Sequence, residues 1–100
     1  MPTGSFRVTL GRAYFNRNFF NVPTAYSNNF ESNNSAIDIF LGDTEIKILG
    51  RIDRKSNANG TPRIHGIGGP KLKEWIQETF KEGNVMRVLI LSKTSIRLLK

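Results

Sequence analysis

Apolar residues alternate with polar ones in most of the hydrophobic segments of this chain, and this period of two limits the fold more than any other feature. In residues 5–10, SFRVTL, the side chains of Phe6, Val8 and Leu10 share one face, which is the pattern of a half-buried β-strand. Further strands are predicted at 19–22, 36–41, 45–55, from 63, at 85–91 and at 94–99. The chain is therefore expected to be mostly β.

One segment has helical spacing instead of alternation. Residues 70–80, PKLKEWIQETF, begin with a proline suited to a first helical turn, and Gly83 suits the helix end. The helix carries an apolar stripe formed by Leu72, Trp75, Ile76 and Phe80. Trp75 is therefore expected to pack in the core, although a stacking platform for nucleic-acid bases is the alternative. A shorter turn or helix is predicted at 24–30, after Pro23.

The third and fourth predicted strands, 36–41 and 45–55, are expected to form a hairpin across a Gly42-Asp43 turn. Alternation divides the fourth strand into two faces. The inward face is expected to hold Ile46, Ile48 and Ile52, and the outward face Lys47, Arg51, Asp53 and Lys55. Gly50 is expected to mark a bulge in this strand.

A polar hairpin tip joins the fourth strand to the fifth. The turn at 59–62, Asn-Gly-Thr-Pro, reverses the chain. Arg63 and His65 should then rejoin the outward face, beside the polar residues of the fourth strand. The tip has few apolar residues, so its folding gains almost nothing against the entropy of ordering it. We therefore expect the tip to project as an arm.

The composition limits the number of domains and the cellular setting. The chain has 100 residues, of which 38% are hydrophobic, enough for one compact core and too few for two. A single domain spanning 1–100 is expected. The absence of cysteine excludes disulfides, thiolate metal sites and cysteine nucleophiles. No stretch has the pattern of a signal peptide or approaches the roughly 18 apolar residues of a membrane span. We expect a soluble, cytoplasmic protein with no membrane partner.

The formal net charge is +7, and most of it lies in two short segments. Residues 7–17 contain three arginines and no acid, whereas residues 51–65 contain four basic residues and one acid, so each segment carries +3. Two basic segments that converge in the fold would create a positive field suited to a polyanion such as nucleic acid. An ordinary solubility charge is the alternative.

Few residues could support catalysis. Glu45 and Lys47 form the Glu-x-Lys element of a common metal-dependent nuclease site. The required acid would be Asp38 or Asp43, both too close to this element in a tight hairpin. His65 is the only histidine, which leaves no support for a zinc cluster or a Ser-His-Asp triad. The glycines that follow it match neither a dinucleotide fingerprint nor a P-loop. We therefore expect no catalytic residues, no metal and no cofactor in this domain.

The chain presents its features in a distinctive order. In sequence they are the strand FRVTL, the polar loop GRAYFNRN, the strand-Pro-helix element FFNVPTAYSNNF, the hairpin AIDIFLGDTEIKIL, the polar arm RIDRKSNANGTPRI, the helix LKEWIQETF, and EGNVMRVLIL with its closing strand. This order resembles the B-three DNA-binding domain of plant transcription factors and of recognition domains in bacterial restriction endonucleases such as EcoRII and BfiI. The resemblance covers nearly the whole chain but includes no single diagnostic motif, and Asn84 replaces the aspartate of the family's usual Gly-Asp turn.

The resemblance implies a seven-stranded open pseudobarrel with two short helices and two arms that enter the major groove of double-stranded DNA. The N-arm would be residues 11–18 and the C-arm residues 51–65, which account for the two basic segments. The implied N-arm contacts are Arg12, Tyr14, Asn16, Arg17 and Asn18. The implied C-arm contacts are Arg51, Asp53, Arg54, Lys55, Ser56, Asn57, Asn59, Thr61, Arg63 and His65.

The residue types in these arms suit DNA. Arginine binds guanine through two hydrogen bonds, asparagine does the same with adenine, and Asp53 could accept a hydrogen bond from a cytosine amine. Lys55, Ser56 and Thr61 are expected to contact phosphates.

The Arg- and Asn-rich C-arm and the compact length resemble the bacterial restriction-enzyme branch of the family. Since the chain has no room for a nuclease domain, we expect a recognition domain excised from a larger restriction endonuclease of the bacterial cytoplasm, in which a nuclease domain is covalently linked. Two alternatives stay open. A β-barrel for single-stranded nucleic acid or RNA would use the same charge, with Tyr14 and Phe15 able to stack. A small metal-dependent nuclease would use Asp38, Asp43, Glu45 and Lys47.

Overall fold

The computed structural model describes residues 4–100, so residues 1–3 of the predicted domain lie outside the described residues. The strands are β1 (Gly4–Thr9), β2 (Phe19–Asn21), β3 (Ala36–Leu41), β4 (Lys47–Asp53), β5 (Arg63–Gly66), β6 (Val85–Ser92) and β7 (Ser95–Leu99). The helices are α1 (Arg12–Asn16) and α2 (Lys71–Thr79), and a 3-10 helix, Thr24–Asn29, lies between β2 and β3. The mostly β fold class predicted from the sequence is confirmed.

The strands form one sheet in the order β1-β6-β7-β3-β4-β5-β2. All neighbouring strands are antiparallel except β3 and β7, which are parallel. β1 and β2 lie at the two ends of this order, and the described residues form no ladder between them. Thr9 of β1 and Phe19 of β2 line the same groove. This shows that the sheet curls until its two edges approach each other. The result is an open barrel, and we call the gap between β1 and β2 the seam.

Alternation along the strands fills the barrel. In β1, Phe6 and Val8 are buried while Arg7 between them is exposed. Every strand contributes apolar side chains to the same continuous core. Because a strand has a side-chain period of two, each inward apolar residue leaves a neighbour on the outer surface. The outer surface of the sheet is therefore free to carry polar function.

Helix α2 packs its apolar stripe against the core of the barrel. Leu72 and Ile76 are fully buried, and Phe80 is 7% exposed. Trp75 is partly buried against the core and meets the Phe80 ring edge-on, with centroids 5.7 Å apart. The predicted packing of this stripe is confirmed. No helix of the described residues is long and apolar enough to cross a membrane.

Three predictions about local structure are wrong. The expected polar loop at 11–18 contains the helix α1. Ile46 is 64% exposed instead of inward, because the ladder with β3 begins only at Lys47 and Ile46 lies before it. Gly50 marks no bulge, since it pairs in register with Ile37 on one side and Gly66 on the other. The register shift that the sheet does contain lies between Ile90 and Ser92.

Gly50 is required by close packing. A Cβ atom at this position would lie 2.6 Å from Cδ1 of Ile39 and 2.7 Å from the backbone carbonyl oxygen of His65. Neither separation is tolerable without a shift of the neighbours. The close approach of β5 to β4 therefore depends on the missing side chain at Gly50.

We predict that Gly50→Ala destabilises the fold by about 1–3 kcal/mol, as overpacked cores do. The measurement is the urea midpoint of unfolding, followed by Trp75 fluorescence. Gly11→Ala is the matched control, because a Cβ there would meet nothing within 4 Å. Equal midpoints for the two variants would contradict the packing described for β3, β4 and β5.

Candidate nucleic-acid interface

Six side chains of β2, β5 and β4 lie together on the outer surface of the sheet. The registers form two rows, in which Phe19 faces His65 and His65 faces Arg51, while Asn21 faces Arg63 and Arg63 faces Asp53. The expectation that Arg63 and His65 rejoin the outward face of the fourth strand is confirmed by this register. We call Phe19, Asn21, Arg51, Asp53, Arg63 and His65 the polar face.

Two connections border the polar face. The N-arm, 11–18, joins β1 to β2, and the loop 54–62, which we call the C-arm loop, joins β4 to β5. The N-arm and the polar face enclose an open groove of about 460 Å³. Its lining includes Arg12, Tyr14, Phe19, Asn21 and Arg63. The fold therefore brings residues of both predicted arms to one surface.

The Asp53 carboxylate closes the base of the C-arm loop. Its Oδ1 accepts hydrogen bonds from the backbone N–H groups of Lys55, at 2.9 Å, and Ser56, at 3.1 Å. Its Oδ2 accepts one from the Ser56 hydroxyl and lies 3.0 Å from Nε2 of His65. Asp53 lies on the outer face of β4, as alternation predicts, but only 8% of it is exposed. Both of its oxygens are thus used within the protein.

These hydrogen bonds hold the pKa of Asp53 well below its ordinary value of 3.8. The Ser56 hydroxyl has the largest effect, and burial opposes it by raising the pKa. The N–H of Lys55, the His65 ring and the N–H of Ser56 lower the pKa further. Asp53 is therefore ionised throughout the physiological pH range.

Arg54 fastens the C-arm loop to the segment after β2. Its guanidinium donates to the carbonyl oxygens of Glu31 at 3.0 Å, Gly60 at 3.3 Å, Ser27 at 2.8 Å and Phe30 at 2.9 Å. It also donates to the Ser27 hydroxyl at 2.9 Å. Five hydrogen bonds in a fixed planar fork are within the reach of arginine but not of lysine. Arg54 is consequently occupied by structure.

Arg63 lies at the centre of the polar face and is held from two directions. Its Nε donates to Oδ1 of Asn21 at 3.0 Å, and its Nη2 lies 3.4 Å from Oδ1 of Asn57. The guanidinium carbon lies 4.4 Å from the centroid of the Phe19 ring, a cation-π contact. These contacts fix the side chain and use its Nε–H and one Nη2–H, so three of its five N–H donors are not engaged by them.

The tip of the C-arm loop is ordered by its own polar side chains. The hydroxyl of Thr61 donates to Oδ1 of Asn59 at 2.7 Å, and Thr61 is only 7% exposed. Nδ2 of Asn57 donates to Oδ1 of Asn21 and to the carbonyl oxygen of Thr61, both at 3.1 Å. Asn59 itself is exposed. The predicted contact residues Asn57 and Thr61 therefore also build the loop.

The N-arm is anchored by Asn18 at its end. The Asn18 amide donates to the carbonyl oxygens of Gly66 at 2.9 Å and Gly69 at 3.0 Å, and its Oδ1 accepts from the N–H of Lys73 at 2.9 Å. Within α1, the side chain of Asn16 donates to the carbonyl oxygen of Arg12 at 2.9 Å. Asn18 thus ties the N-arm to β5 and to the first turn of α2.

The arms also carry cations with free head groups. Arg12, Arg17 and Lys55 are exposed, and across residues 4–100 no hydrogen bond or ion pair engages these three side chains. Arg51 is partly buried and donates to Oδ1 of Asn34 at 3.1 Å. The polar face is therefore bordered by exposed positive charge on both sides.

The basic segment 7–17 is divided by the fold. Arg12 and Arg17 belong to the N-arm, whereas Arg7 lies on β1 and faces Arg87 of β6. Arg7 therefore lies outside the N-arm, because β1 is paired along its length with β6. The N-arm itself carries +2.

Four residues of this surface were not predicted from the sequence. Phe19 and Asn21 lie on either side of the fully buried Phe20, so the period of two could have placed them outward. Asn33 and Asn34 support the C-arm through Oδ1 atoms that accept from the N–H of Arg54 and the guanidinium of Arg51. Nothing in the local sequence indicates these two contacts, since they join segments about 20 residues apart.

The residues of the alternative nuclease site lie elsewhere. Asp38 on β3 pairs with Lys47 on β4, with Oδ2 and Nζ 3.6 Å apart. Asp43 and Glu45 lie exposed in the turn between these strands. Among the described residues, no group of three or more histidine, cysteine or acidic side chains is placed to hold a metal ion.

An open seven-stranded barrel with two arms beside a polar face is thus the class of domain defined by the structure. No protein-family model and no curated protein matches the sequence. Solved structures with a similar pseudobarrel fold include the following two. The N-terminal domain of Helicobacter pylori LlaJI.R1 matches with a TM-score of 0.70 and 12% identity, over 95% of this chain and 78% of that one. A hypothetical Arabidopsis thaliana protein matches with a TM-score of 0.63 and 9% identity, over 98% and 91%.

We predict that Asp53→Asn lowers the free energy of unfolding near pH 7 by about 1.5–3 kcal/mol, the range for hydrogen bonds to a charged group. Because the pKa of Asp53 is lower in the folded than in the unfolded chain, this stability is present above pH 3.8 and is lost as the pH falls further. Urea unfolding at several pH values measures the difference from the wild type. Asp43→Asn, in an exposed turn, is the control. A difference that stays constant with pH would argue against the assigned role.

We predict that Arg54→Lys keeps the charge and the global fold but loosens the C-arm loop, because lysine cannot form the five hydrogen bonds of the guanidinium. Amide hydrogen exchange of residues 55–61 should become faster while that of β6 is unchanged. Arg17→Lys is the matched control, since Arg17 is exposed. Unaltered exchange in both variants would show that Arg54 does not order the loop.

Proposed function

We propose that this chain binds double-stranded DNA in a sequence-specific manner, with the N-arm and the C-arm inserted in the major groove. The observation that carries the proposal is the position of Arg63, held rigidly at the centre of an outward polar face between two basic arms. A fixed arginine fork suits the O6 and N7 atoms of guanine, which it can bind through two hydrogen bonds. Since its geometry exists before binding, little side-chain entropy is lost on contact.

The proposal divides the predicted contact residues into two roles. The free cations and the exposed polar groups contact DNA, with Arg12, Arg17, Lys55, Ser56 and Asn59 directed to phosphates and sugars and Arg51 and Arg63 to base edges. Tyr14 and His65 both contact the Phe19 ring, and His65 faces Arg51 across the sheet. These two residues therefore lie beside the arginines that are directed to base edges. Flexible exposed cations suit phosphates because these contacts need charge more than fixed geometry.

The second role is positioning. The oxygens of Asp53, the guanidinium of Arg54 and the amide of Asn18 are already hydrogen-bonded within the protein. A cytosine amine could engage Asp53 only by displacing Ser56 or His65. We therefore assign to these residues the task of holding the arms in shape, so that their substitution weakens binding without changing which bases are read.

We further propose that the chain is the target-recognition domain of a type II restriction endonuclease of the bacterial cytoplasm, not itself an enzyme, and that a covalently linked nuclease domain performs the cleavage. The support is the resemblance of the sequence order to the recognition domains of EcoRII and BfiI. Duplex DNA is favoured over single strands because Tyr14 meets the Phe19 ring edge-on, with centroids 5.8 Å apart, and Phe15 packs on the core. Their rings are therefore engaged and form no open stacking platform.

The test is selection of bound duplexes from a randomised DNA pool at about 0.15 M salt, with wild type, Arg63→Ala and Lys47→Ala run in parallel. We expect the wild type to enrich a short motif. Arg63→Ala should relax that motif at one position and weaken binding by about 1–3 kcal/mol. Lys47→Ala removes an exposed charge outside both arms and should leave the motif unchanged.

Two results would overturn the proposal. Binding of the wild type with no enriched motif would reduce the chain to a non-specific binder of polyanions. Equal displacement of the duplex by single-stranded DNA or RNA would favour a single-strand binder instead.

A further inference from the structure

Arg7 and Arg87 form a second basic site outside both arms. They occupy directly opposed positions of the β1–β6 ladder, where facing Cα atoms of antiparallel strands are roughly 4.5–5.5 Å apart. Both are exposed, and neither takes part in an ion pair within residues 4–100. The Arg87 Nε donates to the backbone oxygen of Lys100 at 3.2 Å. Like charges placed opposite each other destabilise a sheet, so an anion bound between them would be favoured.

The surface around these arginines is concave. A depression of about 520 Å³ is lined by Ser5, Arg7 and Arg87 on one side and by Pro23 and Tyr26 on the other. Its lining is therefore drawn from β1 and β6 and from the segment that follows β2. This places the depression across the seam of the barrel.

The open groove between the N-arm and the polar face, which we call the N-arm groove, lies along β1. The depression lies along the same strand. Ser5, Arg7 and Thr9 alternate outward on β1, and Thr9 lines the N-arm groove. Residues two apart on a strand are separated by about 7 Å, so the two concavities are close neighbours. Opposite β1, the N-arm groove is lined by Asn21 and the depression by Pro23. The seam thus forms one track that leads from the polar face to the opposed arginines.

We propose that Arg7 and Arg87 are a phosphate-binding subsite for the DNA backbone that flanks the sequence read by the arms. This inference rests on the proposed function and extends it by a contact that neither arm supplies. One strand of a duplex presents a phosphate every ~3.4 Å along its axis, so a track of this length can meet consecutive phosphates. The subsite reads no bases, because it lies beyond the polar face and consists of charge.

The test is the salt dependence of duplex binding. Each phosphate contact adds about −0.9 to the slope of log K against log salt. We expect Arg7→Ala/Arg87→Ala to reduce the magnitude of the slope by roughly 0.9–1.8 and to leave the selected motif unchanged. Lys47→Ala/Lys81→Ala removes two exposed charges elsewhere and should keep the wild-type slope. Arg7→Lys/Arg87→Lys should also retain most of the slope, because phosphate accepts a point charge.

The length of the duplex gives an independent readout. Extending the DNA beyond the selected motif should strengthen binding of the wild type but not of Arg7→Ala/Arg87→Ala. Circular dichroism and the urea midpoint establish that the variants are folded.

The outcomes separate the two proposals. A wild type that binds no duplex would overturn the proposed function itself. A second outcome is that the wild type binds a motif while Arg7→Ala/Arg87→Ala shows the same salt slope and the same effect of duplex length as the wild type. That result would overturn the subsite alone. A third outcome is that inorganic phosphate shifts the NMR signals of Arg7 and Arg87 while their substitution leaves the salt slope of duplex binding unchanged. The site would then bind free anions, and the inference would likewise be overturned.

Discussion

The unpaired edges of β1 and β2 are the constraint on which the functional surface depends. An open edge exposes unpaired backbone groups and invites association with other strands. Here the N-arm crosses near one edge and Asn18 fixes it to β5 and α2. The gap that remains between the edges becomes the groove beside Arg63. A fully closed barrel of these strands would have a continuous wall where this chain has a lined cleft.

The C-arm loop is built mainly from polar side chains that bind backbone groups. Asp53 and Arg54 illustrate this, since between them they fix both ends of the C-arm loop. Each such contact contributes modestly to stability, but their number ties the loop conformation to the folded barrel. A binding surface ordered in this way loses less entropy when it meets a partner. Arg63, clamped between Asn21 and the Phe19 ring, is the clearest case.

Much of this architecture could be predicted because alternation is a local signal. The strands, the α2 stripe and the return of Arg63 and His65 to the outer face follow from a period of two or of 3.6. Features that depend on distant partners could not be predicted in this way. Gly50 is dictated by a carbonyl of β5. The internal role of Arg54 depends on carbonyl oxygens 23 to 27 residues away. Whether the arms read DNA stays a prediction, because side-chain identity does not determine which base edge is met.

The parallel pair of β3 and β7 has a consequence for how the chain reaches this fold. β7 is the third strand of seven in the sheet, and it joins β6 to β3, with Asp38 facing Ser95 across the ladder. Contacts between residues so distant in sequence slow folding, because a long loop must close before any pairing energy is gained. During synthesis the two halves of the barrel cannot be joined until residues 95–99 have left the ribosome. Until then the nascent chain exposes two incomplete sheets, whose unpaired strand edges are prone to aggregation.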